Sequence, residues 1–474
     1  MRFDDRAAAL AVFLLLIVPL VAFCAWRVPT GEVPDEPTHV MRAASLLHGE
    51  IIGHRVATLN VETGAPDAGV AGNTGLALAA IAGNGDRAPL PAGASRAARL
   101  AWVRTIPWQP RLSFVSSPNT AAYSPVAYIP AAMGLAVAIL TGAKPHAAII
   151  AARFANTLVY ALIGALALWL AGHGRLVLLI ALSLPMTVWL AGSCSQDGLV
   201  IACAVLGAAL LLRDGRAAFW CGCAALAVLA LQKPPFLPLA ILPLVLRGGF
   251  DRRSWLRRIG GACVIALPAM LWSVAIAALV SVPLLPGSPY HPGPLWPGDP
   301  TRLFRSAVAS AQISVLLHHP LRVALLPITT GGRALPSLWL QFMGVLGHLS
   351  IRLPHLLYAL WTAAILSAVA QLATEAPARR VGWLTPAAAV VAILSRAELI
   401  FLSLYVTWTP VGMARIDGMQ GRYFIPLLPM LLFVLPGGFG RRWVPGWIGW
   451  LAPLAAILAM DMTIPRLVEA HFYP

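Results

Sequence analysis

The chain has 474 residues, of which 59% are hydrophobic and 11% charged, with a mean hydropathy of +0.78. An ordinary soluble domain carries roughly 25% charged residues and buries apolar surface only in proportion to its size, so a soluble fold is excluded, as is disorder, which needs low hydrophobicity and high charge. The net charge of +16 comes from 32 arginines and two lysines against 18 acids; arginines in short loops between apolar runs fit the positive-inside rule better than a nucleic-acid partner.

Apolar runs near 20 residues, the length that spans a bilayer as helix, exclude an outer-membrane barrel with its alternating strands. The expected fold is an all-α polytopic membrane protein, a single integral membrane domain over residues 1–474. The first run, Ala7 to Trp26, reads as a retained first helix. Residues 27–122 then form a long loop rich in Gly, Pro and Arg that holds seven of the 18 acids, too long for a mere linker. Further runs lie at about 123–142, 150–172, 176–194, 198–212, 217–232, 236–246, 259–282, 354–373, 383–405, 423–437 and 443–462. With a proline-rich second loop at 283–301 and a mixed stretch after it, this gives about 12 spans of bilayer length. The arginine clusters at 247–258, 379–380 and 441–442 are expected to be cytoplasmic. That places the first loop, and the turns near Asp197, Lys233 and Gln420, on the extracytoplasmic side. The parity fails by one between 123 and 196, so one run there must be re-entrant, interfacial or split.

So few acids allow candidates to be sought by elimination. Asp35 and Glu36 stand in Val33-Pro34-Asp35-Glu36-Pro37-Thr38-His39. The position before a proline is pushed towards extended geometry, which stiffens the segment. Pro37 suits a helix start and Gly49 its end, so a short amphipathic helix on the membrane surface is expected. Adjacent carboxylates with His39 could serve as general base and metal ligands, or simply decorate a helix start. Asp197, in Ser195-Gln196-Asp197-Gly198, is an acid at the edge of hydrocarbon or a helix N-cap. Lys233, before two prolines, offers a compact ammonium for a phosphate or snorkels at a helix end. Arg422, in Gln420-Gly421-Arg422-Tyr423, suits phosphate recognition or interfacial anchoring. Arg396 and Glu398, inside one run, read as polar glue between helices or as a charged path. There is no Walker motif, no HExxH and no Gly-rich phosphate loop.

Pro34-Asp35-Glu36-Pro37-Thr38-His39 with Arg42 and Gly49, Tyr123-Ser124-Pro125 with Tyr128, Ser195 to Gly198, Lys233-Pro234-Pro235, and Gly418 to Pro426 occur in order along most of the chain. Together they resemble a family of bacterial multi-pass membrane proteins known as a domain of unknown function. That family is similar to the GT-C class of membrane glycosyltransferases, which use polyprenyl- or dolichyl-phosphate sugars and carry an acidic motif in the first extracytoplasmic loop. The resemblance implies a GT-C-like fold with juxtamembrane helices in the first loop, with Asp35 and Glu36 at the acidic motif and Asp197 as a looser second acid. The chain ends soon after its last run, so an acceptor-binding domain is expected to be absent or supplied by an envelope-assembly partner.

The expected function is sugar transfer from a polyprenyl-phosphate donor to a glycan or lipid acceptor, on the extracytoplasmic face of the bacterial inner membrane. Asp35 would be the base, with Glu36 orienting the acceptor or sharing a divalent cation (Mg or Mn) with Asp35. His39, Asp197, Lys233, Gln420, Arg422 and Tyr423 would bind substrate. The alternatives are a transporter or flippase of lipid-linked glycans and a non-catalytic subunit of a polysaccharide assembly system. A single site requires Asp35, Asp197, Lys233 and Arg422 to converge.

Overall fold

The computed structural model describes residues 4–56, 66–83, 95–247, 249, 251–282, 307–376, 381–435, 437–438 and 446–473. The second loop at 283–301 and the pairs Arg379/Arg380 and Arg441/Arg442 lie outside the described residues.

The chain opens with α1 (Asp5–Arg27), which contains a π-helical turn at Phe13–Ile17. The first loop holds α2 (Glu36–Ser45), α3 (Thr74–Ile81), α4 (Arg96–Val103) and an antiparallel sheet of β1 (His54–Val56), β2 (Asp67–Asn73) and β3 (Leu112–Ser116), with β2 central. Then come α5 (Ile129–Leu140), α6 (Pro145–Leu170), α7 (Arg175–Ser183), α8 (Pro185–Ala191), α9 (Asp197–Leu211), α10 (Arg216–Gln232) and α11 (Arg252–Leu279). The remaining helices are α12 (Ala309–His318), α13 (Leu321–Met343), α14 (His355–Thr374), α15 (Thr385–Thr407) and α16 (Leu451–Phe472).

Among the described residues, six helices are long and apolar enough to cross a bilayer, or seven if α12 and α13, bent by 107°, make one span. Five shorter apolar helices accompany them. Long helices therefore supply six or seven of the expected 12 crossings, and proline explains much of the shortfall. A proline inside a helix removes a backbone donor and clashes with the preceding turn. The runs at 236–246 and 423–437 fold largely as 3₁₀ helix, Pro234–Ile241 with Pro238 inside and Gly421–Met430 with Pro426 and Pro429 inside. The run at 176–194 is broken between α7 and α8, where Leu184 is extended before Pro185.

The run at 123–142 forms too short a helix to count among the long spans. Its helix, α5, packs antiparallel on the first half of α6, so closely that a Cβ at Gly134 would meet Ala151 and Ala152 at 2.6–2.8 Å. Arg153 of α6 lies level with the end of α1, since it binds the carbonyls of Ala25, Val28 and Pro29. Ala131, Leu135 and Ala138 of α5 join the apolar core of the first loop with Val40, Ala43 and Val70, separate from the main bundle core. The α5 segment thus packs one face against the first loop and leaves Met133, Val137 and Leu140 exposed, and α6 is the next helix long and apolar enough to cross among the described residues.

The amphipathic surface helix expected after α1 is corrected. The α2 helix starts at Glu36, with Pro37 second, and the following 3₁₀ turn ends at Gly49 in the left-handed conformation (φ 78°). It has no solvent or lipid face, however: Glu36, Pro37 and every residue from His39 to Ser45 are buried. Arg42 is fully buried and donates to Ser45 and to the carbonyls of Tyr123, Glu50 and Ile51.

One ion pair fastens the loop domain to the bundle. Arg153 and Glu36 are 0% and 1% exposed and pair bidentately at 2.5 and 2.7 Å. Glu36 also accepts from the Cys194 amide at 3.0 Å. Removing one partner of a buried pair leaves an uncompensated charge and costs about 3–5 kcal/mol, whereas replacing both with apolar residues is often neutral. Glu36→Ala should therefore lower the thermal midpoint in detergent sharply, and the double variant Glu36→Leu/Arg153→Met should recover most of it. A midpoint unchanged in Glu36→Ala would remove the pair from this role.

Candidate functional site

Asp35, Asp197, Lys233 and Arg422 meet in one place. Arg422 Nη2 donates to Asp35 Oδ2 at 2.7 Å, and Arg422 Nε lies 3.9 Å from Asp197 Oδ2. Lys233 Nζ donates to Asp197 Oδ1, and its ammonium sits 5.3 Å from the centre of the Tyr423 ring. The Arg422 guanidinium lies 5.6 Å from the same ring. Arg422 is 3% exposed at its side chain and Asp35 is 44% exposed, so the pair joins a buried cation to a reachable carboxylate.

Local backbone chemistry aims each group. Asp35 precedes α2 in the left-handed region, with φ 63° and ψ −1°. Among residues other than glycine, Asp and Asn enter that region most readily, and doing so costs roughly 1–2 kcal/mol. The turn sends Asp35 and Glu36 in opposite directions: Glu36 inward to Arg153, Asp35 to Arg422. Asp197 is the first residue of α9, but its side chain makes no cap bond; its own amide takes the Ser195 hydroxyl at 3.2 Å. The N-cap alternative is thereby set aside, and the carboxylate gains from the helix dipole while facing Lys233. Lys233 ends α10 in an extended conformation (φ −137°, ψ 95°) because Pro234 follows. Arg422 rides on the proline-interrupted 3₁₀ helix that starts at Gly421.

His39 lies one turn after Asp35 and is 4% exposed. Its Nδ1 is 2.7 Å from the Tyr128 hydroxyl, and its ring stacks on Tyr128 and Tyr123. Burial lowers its pKa to about 4, more than the nearby Asp35 and Asp197 charges restore, so it is neutral at pH 7. Burial works to raise the Asp35 carboxyl, but the Arg422 guanidinium outweighs it and holds the group below the ordinary carboxylate value.

Of the residues expected to act together, the structure gathers Asp35, His39, Asp197, Lys233, Arg422 and Tyr423. Gln420 enters the same 3₁₀ helix with a buried Oε1 that has no hydrogen-bond partner. Glu36 is not brought in. Among the other candidate acids, Glu375 joins His173 at 3.0 Å beside Asp5, Arg175 and Trp450, at the end of the bundle opposite Asp35. Arg396 and Glu398 do not pair with each other: Arg396 Nε and Nη1 and Glu398 Oε1 are all buried without a partner. Asp299 lies outside the described residues. Arg153 was missed by the search among acids, although an arginine inside an apolar run is itself a signal.

The donor set does not fit a divalent cation. Both Glu36 oxygens are taken by Arg153. Asp35 and Asp197 each face a cation, and Arg396 adds a third positive charge nearby through its bond to the Tyr423 carbonyl. Two carboxylates among three cations, with Arg422 Nε and Nη1 buried and unpartnered, favour an anion.

These features define a polytopic α-helical membrane protein with a recessed ionic site at one end of its bundle. The chain belongs to the family described as predicted membrane protein (DUF2142), whose model matches residues 15–431 and so takes in every residue of the site. No curated protein and no solved structure matches it.

The low pKa of His39 has a measurable consequence. Between about 4 and the ordinary 6.5 the unfolded chain binds the proton and the folded chain does not, so stability falls as pH drops through this window. The thermal midpoint of the wild type should decline from pH 6.5 to 4.5 more steeply than that of His39→Gln. Equal slopes would show that His39 is not held neutral.

Proposed function

We propose that the protein is a GT-C-type inverting glycosyltransferase. It transfers a sugar from a polyprenyl-phosphate donor to a glycan or lipid acceptor at the extracytoplasmic face of the bacterial inner membrane. One observation carries this reading: three parts of the chain, spread over 387 residues, bring a reachable carboxylate, Asp35, against buried cations able to hold a phosphate, Arg422 and Lys233. Its position directly after α1 is where the GT-C acidic motif stands. Orientation is supported by Arg213, in the turn before α10, and by Arg216, Arg252 and Arg253, in the first turns of α10 and α11, all at the end away from Asp35.

In the proposed reaction, Arg422 and Lys233 bind the donor phosphate and stabilise the charge that grows on it as the sugar leaves. Asp35 accepts the proton of the acceptor hydroxyl. The hydroxyl oxygen bonds to the anomeric carbon from the opposite face, the bond from that carbon to the phosphate oxygen breaks, and the electron pair leaves with the polyprenyl phosphate. Asp197 holds Lys233 in place, and the neutral His39, braced by Tyr128, walls the site. No step passes through a metal, since the donors do not suit one.

The test compares wild type with Asp35→Asn in transfer from polyprenyl-phosphate sugars, using purified protein in nanodiscs. Asn keeps the shape and tolerates the left-handed backbone, so the variant should fold. Its transfer rate should fall on the order of 10²- to 10⁴-fold, the usual contribution of a positioned base. Unchanged transfer would take Asp35 out of the mechanism. A wild type that transfers nothing, yet moves lipid-linked glycan across proteoliposomes, would establish the transporter reading instead.

A further inference from the structure

Arg396 lies halfway along α15, inside the apolar layer, and is 1% exposed. Its Nη2 donates to the Tyr423 carbonyl, while Nε and Nη1 are buried without a hydrogen-bond partner. The guanidinium lies 4.1 Å from the Phe236 ring centre and 5.5 Å from that of Phe424. No carboxylate pairs with it among the described residues; Glu398, two residues on, points elsewhere with its own Oε1 unpartnered. Stacking on an aromatic face compensates only part of the loss of hydration, and a buried charge without a counter-charge is strongly unfavourable. Proteins retain such groups inside membranes where they serve a site.

The neighbours of Arg396 identify that site. Tyr423 follows Arg422, and Phe236 lies three residues past Lys233. The unfilled donors of Arg396 and Arg422 thus belong to one cluster, and Gln196, next to Asp197 in sequence, likewise has a buried amide nitrogen and oxygen without a hydrogen-bond partner. We infer that Arg396 is a binding residue for a phosphate group, which it grips together with Arg422 and Lys233. The inference rests on the function proposed above and extends it. Three cations against Asp35 and Asp197 leave one net positive charge, and a guanidinium fork suits a phosphate edge. Because Arg396 sits within the apolar layer, its phosphate comes from a lipid headgroup drawn sideways into the bundle.

The experiment measures binding of a long-chain polyprenyl phosphate to purified protein in detergent, with inorganic phosphate and the uncharged polyprenol as the other arms. Wild type, Arg396→Met and Arg422→Met are compared by Kd and by thermal midpoint without ligand. Arg396→Met should weaken binding of the polyprenyl phosphate about ten- to a hundredfold, the loss expected for a charge-assisted hydrogen bond. Its ligand-free midpoint should be equal to or above that of the wild type, because an unpaired buried charge has been removed. A residue that merely glues helices would give the opposite pair of results. Unchanged Kd in Arg396→Met overturns the inference, whatever the midpoint. If Arg396→Met cannot be purified, Arg396→Lys is measured in its place; it keeps the charge without the fork, and wild-type Kd in that variant overturns the bidentate grip. Weaker binding in Arg422→Met but not in Arg396→Met leaves the proposed function standing and sinks this inference alone. No binding of the lipid phosphate by the wild type sinks both. Inorganic phosphate bound as tightly as the lipid form overturns the lipid source.

Discussion

The Glu36–Arg153 ion pair is the constraint on which the rest of the site depends. Arg153 takes the last carbonyls of α1, which have no partner within their own helix, and it holds both oxygens of Glu36. Glu36 in turn accepts the amide of Cys194, in the segment that runs to Asp197. One guanidinium therefore fixes the end of the first span, the start of α2 and the approach to α9 on the face of α6. Asp35 and Asp197 flank this knot and inherit their positions from it. With Glu36 turned inward, the left-handed backbone at Asp35 throws the neighbouring carboxylate outward, so the strain at that residue is the geometric price of separating two adjacent acids.

The cations arrive by a different route. Lys233 and Arg422 stand where apolar runs meet clusters of proline, and each proline denies the chain a regular helix. A continuous helix through Gln232 or Gly421 would carry the side chain on around the helical screw. The extended backbone at Lys233 and the 3₁₀ helix at Arg422 break that screw at the level of the site. The same prolines that shorten the runs below bilayer length thus place the charges. Irregular backbone at membrane depth is tolerated where it is buried in protein, and Gly421, Arg422 and the 3₁₀ residues from Ile425 to Met430 are buried.

Composition and hydropathy were enough to read the class of protein, the first span and the long loop, and the glycine signal at Gly49 marked the end of the 3₁₀ turn that follows α2. The scarcity of charge brought out Asp35, Asp197, Lys233 and Arg422, because each ionised group near hydrocarbon needs a reason to be there. Other features could not be read this way. Hydropathy cannot separate α5, which packs one face against the first loop, from a crossing helix, since both are apolar on all sides. The adjacent acids Asp35 and Glu36 look equivalent in sequence; only the backbone torsion between them decides which faces the site. The partner of Glu36 is not legible in sequence either, since Arg153 meets it across 117 positions and no local motif links the two. Arg396 and Glu398 stay apart for a simpler reason, as residues two apart on a helix do not face each other.

The resting pairings of the site bear directly on how a base could work there. A carboxylate bound to a guanidinium is stabilised in its charged form and is a poor proton acceptor. Asp35 in the Arg422 pair is therefore well formed for waiting and badly formed for catalysis. In the proposed reaction the donor itself removes this obstacle. Phosphate oxygens that engage Arg422 compete with Asp35 for the same guanidinium, and every donor they take raises the basicity of the carboxylate left behind. Lys233 and Asp197 stand in the same relation one step further in. Binding of the anion and activation of the base become one event, and an acceptor hydroxyl meets a competent base only when a donor is already in place. The buried, unfilled donors of Arg422 and Arg396 make this exchange favourable, because the entering phosphate satisfies groups that have no partner beforehand.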